Sequence, residues 1–261
     1  MRSRFRVIVP VIAAFAMALA FVSPGASASV PAKTKPTGDI TVSAAASLTE
    51  AFTAIGKQFE RTYKGTHVTF NFDASSALVL QIQGGAPVDV FASADEANMD
   101  KLVTGGQVTA KPVDFAENKL ETAVKPGNPE KVRTLADLAN VGIVSLCAPE
   151  VPCGKYADAA LAGAGVTIPP DKITRGTNAK VTLTAVSAGD ADAAIVYVTD
   201  VKAAGSSVTG VRIRSSQNQI AIYPIAPLAD AANPTTAKAF AKYVASPAGE
   251  KILRKYGFLP A

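Results

Sequence analysis

The sequence has few of the residues that enzymes use for nucleophilic or metal chemistry. It contains no tryptophan, one histidine and two cysteines. His67 lies in an alternating, strand-like stretch, and a serine nucleophile normally needs a histidine as its base. The chain has no G-x-S-x-G elbow, P-loop or G-x-G-x-x-G motif, and no Cys/His cluster that could bind a metal ion. We therefore expect a protein that is not an enzyme, with no cofactor and no side-chain metal site.

Aromatic residues and excess charge are also scarce. Aromatic residues make up 7% of the chain, which disfavours an aromatic cage for cations. The chain has 26 basic and 21 acidic residues; without the three arginines of the first 28 residues the balance is 23 − 21 = +2. Lys/Arg runs are missing, so we expect no nucleic-acid partner. Any anion binding must depend on local geometry rather than on net charge.

The first residues have the pattern of a secretory signal. Three arginines precede a run of about 16 apolar residues, which is shorter than the roughly 20 that a membrane span needs. Ala26-Ser27-Ala28 is a small-x-small cleavage site. We predict a signal peptide over residues 1–28 and a flexible leader over 29–38. The mature protein would then be secreted across the cytoplasmic membrane, and be periplasmic or associated with the cell envelope.

The two cysteines are predicted to pair. In an exported protein, Cys147 and Cys153 are expected to form a disulfide, and so short a loop contributes roughly 2 kcal/mol in the chain-entropy treatment. No cysteine lies near the cleavage site, so the sequence offers no N-terminal position for lipid attachment.

The hydrophobic pattern alternates between strand and helix along the whole chain. Short Val/Ile-rich segments predict strands at 39–44, 67–72, 88–92, 119–124, 141–147, 193–197, 209–214 and 220–226. Apolar residues at helical spacing predict helices at 48–63, 76–83, 95–104, 134–139, 153–163, 179–188, 199–204, 235–245 and 247–255. This alternation is typical of α/β proteins with parallel sheets.

Several predicted strands lead directly into a small or polar residue and then a helix. Ser47 follows the first strand, and Ser47 and Glu50 have the S-x-x-E spacing of a capping box. Four similar junctions occur at 74–76, 152–154, 177–179 and 197–199. Ligands of open α/β sheets lie beyond the carboxyl ends of the strands, and helix N-termini bind anions. A cleft lined with hydroxyl and backbone N–H donors suits a fully deprotonated oxyanion, although each serine could also serve only as a helix cap.

From Asp39 to Leu259 the chain resembles the periplasmic molybdate-binding proteins of ABC importers. The matching segments are Ala44-Ala-Ala-Ser47-Leu-Thr, Ala74-Ser-Ser-Ala-Leu78, Gly85-Ala-Pro-Val-Asp-Val-Phe-Ala-Ser-Ala-Asp95, Pro149-Glu-Val-Pro152-x-Gly154-x-Tyr156, Ile195-Val-Tyr197 and Lys255-Tyr-Gly-Phe258. The resemblance implies a two-lobed α/β fold of the periplasmic-binding-protein type (type II), with two mixed or parallel sheets flanked by helices and a hinge between the lobes. Lobe 1 would hold residues 39–118 plus 224–261, and lobe 2 residues 119–223.

The resemblance also implies the ligand and its contacts. Molybdate, and with it tungstate, would be bound by the hydroxyls of Ser47, Ser75 and Tyr197 and by the main-chain N–H groups of Cys153 and Ala179. Cys153 stands where alanine is usual, and Ala179 where valine is usual; contacts through the main chain tolerate both changes. The expected partner is the membrane permease of an ABC transporter, and the expected state is a monomer.

Other functions stay open at this stage. The chain could be a receptor for sulfate, phosphate or an organic acid, and a carboxylate ligand would favour an arginine clamp, for which Arg175 is the candidate. A hydrolase with a carboxylate pair could draw on Asp73, Asp89, Asp95 or Asp192. A ligand-sensing domain of a regulator is disfavoured by the export signal and by the lack of a DNA-binding helix pair.

Overall fold

The computed structural model describes residues 35–261. The predicted signal peptide of residues 1–28 and the first part of the predicted leader lie outside these residues. Within 35–261, none of the helices combines the length and the apolar character that a membrane span requires.

Strands and helices alternate from the first described strand to the C-terminus. The strands are β1 Gly38–Ala45, β2 Thr66–Asp73, β3 Val90–Ala92, β4 Val113–Val124, β5 Val144–Cys147, β6 Ile173–Gly176, β7 Ala193–Tyr197, β8 Thr209–Arg212 and β9 Ile220–Pro227. The α-helices are α1 Thr49–Thr62, α2 Ser75–Gln83, α3 Glu96–Thr104, α4 Pro152–Gly163, α5 Ala179–Ala188, α6 Val198–Ala204, α7 Pro234–Val244 and α8 Pro247–Tyr256. Short 3-10 helices cover Ala46–Leu48, Leu135–Ala139, Pro170–Lys172 and Gly205–Ser207.

Within residues 35–261 the strands form one nine-stranded sheet. Eight of them follow the order β2-β1-β3-β9-β4-β7-β5-β6, and β8 pairs with β4 beside this path. The long strand β4 joins two parts of this sheet. Its residues 113–119 pair with β9, and its residues 120–124 pair with β7 and β8. We call β1, β2, β3 and β9 the first sheet part, and β5, β6, β7 and β8 the second sheet part.

The sheet is mixed rather than wholly parallel. β1 pairs in parallel with β2 and β3, and β5 pairs in parallel with β6 and β7. β4 runs antiparallel to β7, β8 and β9, and β3 runs antiparallel to β9. Strand–helix alternation does not reveal these antiparallel partners, because β8 and β9 come late in the chain and return to pair with earlier strands. The α/β class itself is confirmed.

Helix α1 shows how the helices pack on the first sheet part. Its apolar residues recur at helical spacing, so one face is buried, and Phe52 and Phe59 on that face have no exposed surface. The ring of Phe240 in α7 meets both edge-on, at centroid distances of 6.1 and 5.3 Å. Burying each ring contributes roughly 1.5–3 kcal/mol, which holds α1 against α7 and, through the contact of Phe52 with Phe70, against β2.

Most predicted elements match the structure within a few residues, with two clear differences. Strand β6 was not predicted, because Ile-Thr-Arg-Gly is a short edge strand whose Thr174 and Arg175 are exposed. Strand β4 begins six residues earlier than the predicted 119, in a segment with more polar residues. The lobe boundaries at 39–118 plus 224–261 and at 119–223 stay predictions.

Candidate anion-binding site

A pocket lies between the two sheet parts, beyond the carboxyl ends of several strands. It brings together all five residues that were predicted to contact an anion, namely Ser47, Ser75, Cys153, Ala179 and Tyr197. The first two follow β1 and β2, whereas the last three follow strands of the second sheet part or end one of them. The pocket therefore joins segments that are up to 150 residues apart in the sequence.

Three α-helices begin at this pocket. Ser75 is the first residue of α2, Pro152 of α4 and Ala179 of α5. The first N–H groups of a helix have no partner within the helix, and the helix dipole adds positive potential at the same end. Main-chain N–H groups of Cys153 and Ala179 lie in these first turns. The arrangement is one that favours a bound anion.

The hydroxyl groups of the pocket are held in different ways. Ser47 Oγ lies 2.8 Å from the phenol oxygen of Tyr223. Ser75 Oγ accepts a hydrogen bond of 3.0 Å from the backbone N–H of Ala94, which leaves the hydroxyl hydrogen of Ser75 available. The hydroxyl of Tyr197 is buried and has no hydrogen-bond partner among residues 35–261. A buried polar group without a partner is costly, so a ligand that accepts from it would be stabilised.

The predicted capping box of Ser47 and Glu50 is wrong. The chain passes through the 3-10 turn Ala46–Leu48 before α1 begins at Thr49, so Ser47 does not occupy the position that caps the helix. Its Oγ instead shares a hydrogen bond with the phenol oxygen of Tyr223. Glu50 accepts a hydrogen bond from Lys180 at 2.6 Å. Ser47 is thus free of the capping role that the local sequence suggested.

The donors that line the pocket are neutral. Among residues 35–261, no lysine or arginine lines the pocket, and the one ionisable carboxylate that does is that of Asp73. This carboxylate accepts hydrogen bonds from the Ala74 N–H at 2.7 Å and from Asn178 Nδ2 at 2.9 Å. Arg175, the candidate clamp for an organic acid, is directed elsewhere: it donates to the Cys147 carbonyl oxygen at 2.8 Å and contacts Asp158.

Burial keeps the two phenols of this region protonated. Tyr197 and Tyr223 are almost wholly inaccessible to solvent, and burial raises the pKa of both hydroxyls above the ordinary tyrosine value. Both therefore remain hydrogen-bond donors at neutral pH. Of the two phenols, Tyr197 lines the pocket, where its hydroxyl offers a hydrogen to a ligand.

A disulfide fixes the turn that carries the Cys153 N–H. It joins Cys147 at the end of β5 to Cys153 in the first turn of α4, with Cα atoms 5.8 Å apart. The turn is tight at Gly154, where a Cβ atom would overlap the carbonyl oxygen of Ala148. The bridge and the glycine together hold the first turn of α4 at the pocket.

The four aspartates considered for a hydrolase do not form a pair. Of these four only Asp73 lines the pocket. Asp89 accepts from the Thr41 N–H at 2.8 Å, Asp95 caps α3, and Asp192 binds Lys125 at 2.7 Å. Each carboxylate thus has a separate structural partner, which argues against a carboxylate-pair mechanism.

The pocket is small. Its cavity volume is about 10 Å³, which leaves no room for a sugar or a peptide.

Sequence reasoning missed two buried polar residues behind Ser47. Tyr223 lies in β9 and Asn118 in β4, and both are at most 1% exposed. An asparagine in a buried strand is a signal that could have been noticed, since a buried amide needs partners. Its partners, however, are distant in sequence and no local pattern reveals them.

The chain is similar to several known proteins. Residues 40–259 match the family described as bacterial extracellular solute-binding protein. A protein named molybdate-binding protein ModA from Mycobacterium tuberculosis H37Rv is 38% identical over 237 residues, which cover 90% of this chain and 89% of that protein.

Two solved structures share the fold. The periplasmic molybdate-binding protein of Azotobacter vinelandii has a TM-score of 0.75 and 20% identity, covering 85% of this chain and 99% of that one. The sulfate-binding protein SubI of Mycobacterium tuberculosis H37Rv has a TM-score of 0.77 and 21% identity, covering 86% of this chain and 87% of that one. At these identities the likeness concerns the fold alone.

Proposed function

The chain belongs to the bacterial extracellular solute-binding proteins, and on that premise we propose that it binds molybdate in the pocket between the two sheet parts. Family membership and the shared fold confirm the predicted resemblance, the periplasmic-binding-protein-like fold class and the expectation of a binding protein rather than an enzyme. Tungstate, which is close to molybdate in size, is proposed as a second ligand with little discrimination between the two.

The observation that carries this proposal is the buried Tyr197 hydroxyl, which has no partner among residues 35–261 and lines a pocket at which three α-helices begin. Ser47 and Ser75 add hydroxyls to the same pocket, and Cys153 and Ala179 add main-chain N–H groups. A tetrahedral oxyanion offers four acceptor oxygens and could satisfy all five donors. The 38% identity to a protein named for molybdate binding supports the choice of ion.

Neutral donors are sufficient for tight binding if the site is dry and preorganised. Hydrogen bonds to an ionised acceptor contribute roughly 1.5–3 kcal/mol each, and five of them can offset the desolvation of the anion. The five proposed contacts are all donors, so the O–H of a protonated anion finds no acceptor among them, and such unpaired groups weaken binding strongly. Molybdate is fully deprotonated at neutral pH, whereas phosphate is not.

Sulfate is the second candidate, because it is also fully deprotonated and the same donors suit it. It is smaller than molybdate, so a cavity shaped for molybdate would hold it loosely. Direct measurement of both ions separates the two functions.

The route of the ligand follows from the proposed role. We infer that the protein is exported by its predicted signal peptide, captures the anion outside the cytoplasmic membrane as a monomer, and delivers it to the permease of an ABC transporter. Hinge closure of the two predicted lobes around the ion would be the signal that the permease reads.

Isothermal titration calorimetry and thermal shift with molybdate, tungstate, sulfate and phosphate test the proposal. At 100 times its dissociation constant a ligand stabilises the folded state by about 2.7 kcal/mol, so molybdate and tungstate should raise the melting temperature clearly. Sulfate should do so weakly and phosphate hardly at all. A clear shift with sulfate or phosphate and none with molybdate would reject the assignment.

Serine variants test the site itself. Ser75→Ala should weaken molybdate binding by about tenfold or more, since it removes one charge-assisted hydrogen bond. Ser76→Ala is the matched control, because Ser76 is the next residue of α2 but does not line the pocket. Ser47→Ala should behave like Ser75→Ala. Normal binding by either pocket variant would remove that serine from the site.

A further inference from the structure

We propose that Asn118 and Tyr223 form a directional hydrogen-bond relay that sets the Ser47 hydroxyl as a donor toward the anion pocket. Both are positioning residues, because neither lines the pocket and both act through Ser47. The inference rests on the proposed function, since it explains how one of the proposed anion contacts obtains its polarity.

The relay starts at Asn118, whose amide orientation is fixed by its neighbours. Its Oδ1 accepts a hydrogen bond of 3.0 Å from the Lys119 N–H, so the amide nitrogen faces the opposite way. Nδ2 donates to Thr199 Oγ1 at 2.9 Å and reaches the phenol oxygen of Tyr223 at 3.4 Å. An amide nitrogen can only donate. Tyr223 therefore receives a hydrogen at its oxygen.

Tyr223 passes this polarity on to Ser47. The phenol has one hydrogen of its own, and Ser47 Oγ lies 2.8 Å away. Either oxygen could donate across this contact if the pair were isolated. The amide nitrogen of Asn118 cannot accept the phenol hydrogen, so among residues 35–261 Ser47 Oγ is the acceptor left for it. Burial raises the pKa of Tyr223, so this hydrogen is retained at neutral pH.

The hydroxyl hydrogen of Ser47 is then left to point into the pocket. Its oxygen accepts from Tyr223, and its hydroxyl hydrogen is free to point into the pocket that Ser47 lines. Ser75 reaches the same state by another route, because a backbone N–H occupies its oxygen at 3.0 Å. The two serines are therefore polarised alike, one by Asn118 through Tyr223 and the other by Ala94.

This polarity determines which anions the site accepts. A serine that is free to rotate can accept a hydrogen bond from a protonated anion, and this would stabilise the bound protonated anion. A serine whose oxygen is already occupied presents mainly its hydrogen. The relay thus accounts for selectivity toward fully deprotonated oxyanions over hydrogen phosphate.

Tyr223→Phe tests the relay, with Tyr243→Phe as the control. Tyr243 packs edge-on against Phe59 at 5.6 Å in the aromatic cluster of α1 and α7 and does not line the pocket. Calorimetry with molybdate, and competition by phosphate at neutral pH, should show that Tyr223→Phe lowers molybdate affinity about tenfold. The preference for molybdate over phosphate should fall with it. A merely structural role would weaken both ions equally, and Tyr243→Phe should change neither affinity.

A second variant reverses the relay. In Asn118→Asp the carboxylate accepts from Tyr223, so the phenol oxygen accepts from Ser47 and Ser47 presents lone pairs to the anion. Molybdate affinity should fall about tenfold or more in the wild-type background. In the Tyr223→Phe background the same substitution should cost much less, because the residue that transmits the reversal is absent, and this double-mutant cycle isolates the coupling.

The outcomes separate the relay from the proposed function. Equal losses from Asn118→Asp in both backgrounds would mean simple charge repulsion and would overturn the relay, as would unchanged molybdate affinity in Tyr223→Phe. The cycle decides the matter even where phosphate binding is below detection. Melting temperatures without ligand identify a variant that fails to fold, and the other variant then carries the test. If the wild-type protein binds none of the tetrahedral oxyanions, the proposed function and the relay both fall.

Discussion

Lys180 Nζ lies 2.6 Å from Glu50 Oε1, and this ion pair joins α5 to α1 across the anion pocket. Helix α1 packs on the first sheet part and α5 on the second. Lys155 and Asp95 approach to 3.6 Å across the same gap. These contacts hold the two sheet parts close together around the pocket.

We predict that Glu50→Gln and Lys180→Met both weaken anion binding by about twofold to fivefold, because partly exposed ion pairs contribute up to about 1 kcal/mol. The two variants together distinguish an effect of the contact between α1 and α5 from an effect of the charges near the anion. If only the charge near the anion mattered, removing the negative Glu50 would strengthen binding and removing Lys180 would weaken it. Calorimetry that shows tighter binding by Glu50→Gln would contradict a role in closure. Lys57→Met, on the exposed face of α1, is the control.

Tyr197→Phe should have opposite effects on stability and binding. The hydroxyl is buried and has no partner among residues 35–261, so its removal should raise the free energy of unfolding without ligand by about 1 kcal/mol or more. The same change removes a donor to the anion and should lower molybdate affinity about tenfold. Urea unfolding and calorimetry on one preparation measure both. Lower stability together with normal affinity would show that the hydroxyl serves the fold instead.

The sequence indicated which residues would lie together better than it indicated how they are held. Ser47, Ser75 and Tyr197 stand at strand ends within segments that match a known family, and the structure brings them to one pocket; their contact with an anion stays a prediction. The contact between Ser47 and Tyr223 spans 176 residues, and only the antiparallel return of β9 creates it. Local spacing suggested a capping box with Glu50, but the tertiary partners Tyr223 and Lys180 decided the outcome.

The same reason explains which parts of the fold were predictable. Helices such as α1 and α5 have one apolar face, and the helical spacing of its apolar residues is visible in the sequence. Strand β6 has four residues at an edge of the sheet, too short for a period to show. The sharing of β4 between the two sheet parts depends on pairing with β7, β8 and β9, which the sequence of β4 alone does not specify.

The disulfide should support both stability and binding. In Cys147→Ala combined with Cys153→Ala, the free energy of unfolding should fall by roughly 2 kcal/mol, as expected for a short closed loop. Molybdate affinity should fall as well, because the turn that presents the Cys153 N–H is loosened. Reduction of the wild-type protein should reproduce both losses, and a reductant should leave the double variant unchanged. Unaltered affinity after reduction would show that Gly154 alone fixes the turn.

Asp200 should make stability depend on pH. Its side chain is fully buried, and burial raises its pKa to about 6, although Lys180 nearby opposes the shift and Glu50 adds to it. Between about pH 4 and pH 6 the folded protein holds a proton that the unfolded chain releases, so this group's contribution falls as the pH rises. One pKa unit corresponds to about 1.4 kcal/mol, so the free energy of unfolding that is lost once the pH exceeds 6 is at most about 3 kcal/mol.

Asp200→Asn tests this directly, because asparagine stays neutral. Relative to the wild type, the variant should gain stability between about pH 4 and about pH 8, by up to about 3 kcal/mol. Hydrogen bonds that the substitution removes change the free energy of unfolding by the same amount at pH 4 and at pH 8. The informative quantity is therefore how the difference between variant and wild type changes with pH. Urea unfolding at several pH values measures it. A difference between variant and wild type that stays constant with pH would contradict the raised pKa.

The most direct test of the account is the position of the ion itself. Crystals grown with molybdate and measured at the molybdenum absorption edge give an anomalous peak at each bound metal atom. If molybdate binds as proposed, one strong peak should lie in the pocket, with oxyanion oxygens within hydrogen-bond distance of the hydroxyls of Ser47, Ser75 and Tyr197 and the N–H groups of Cys153 and Ala179. A peak elsewhere on the chain, or an empty pocket at saturating molybdate, would contradict it.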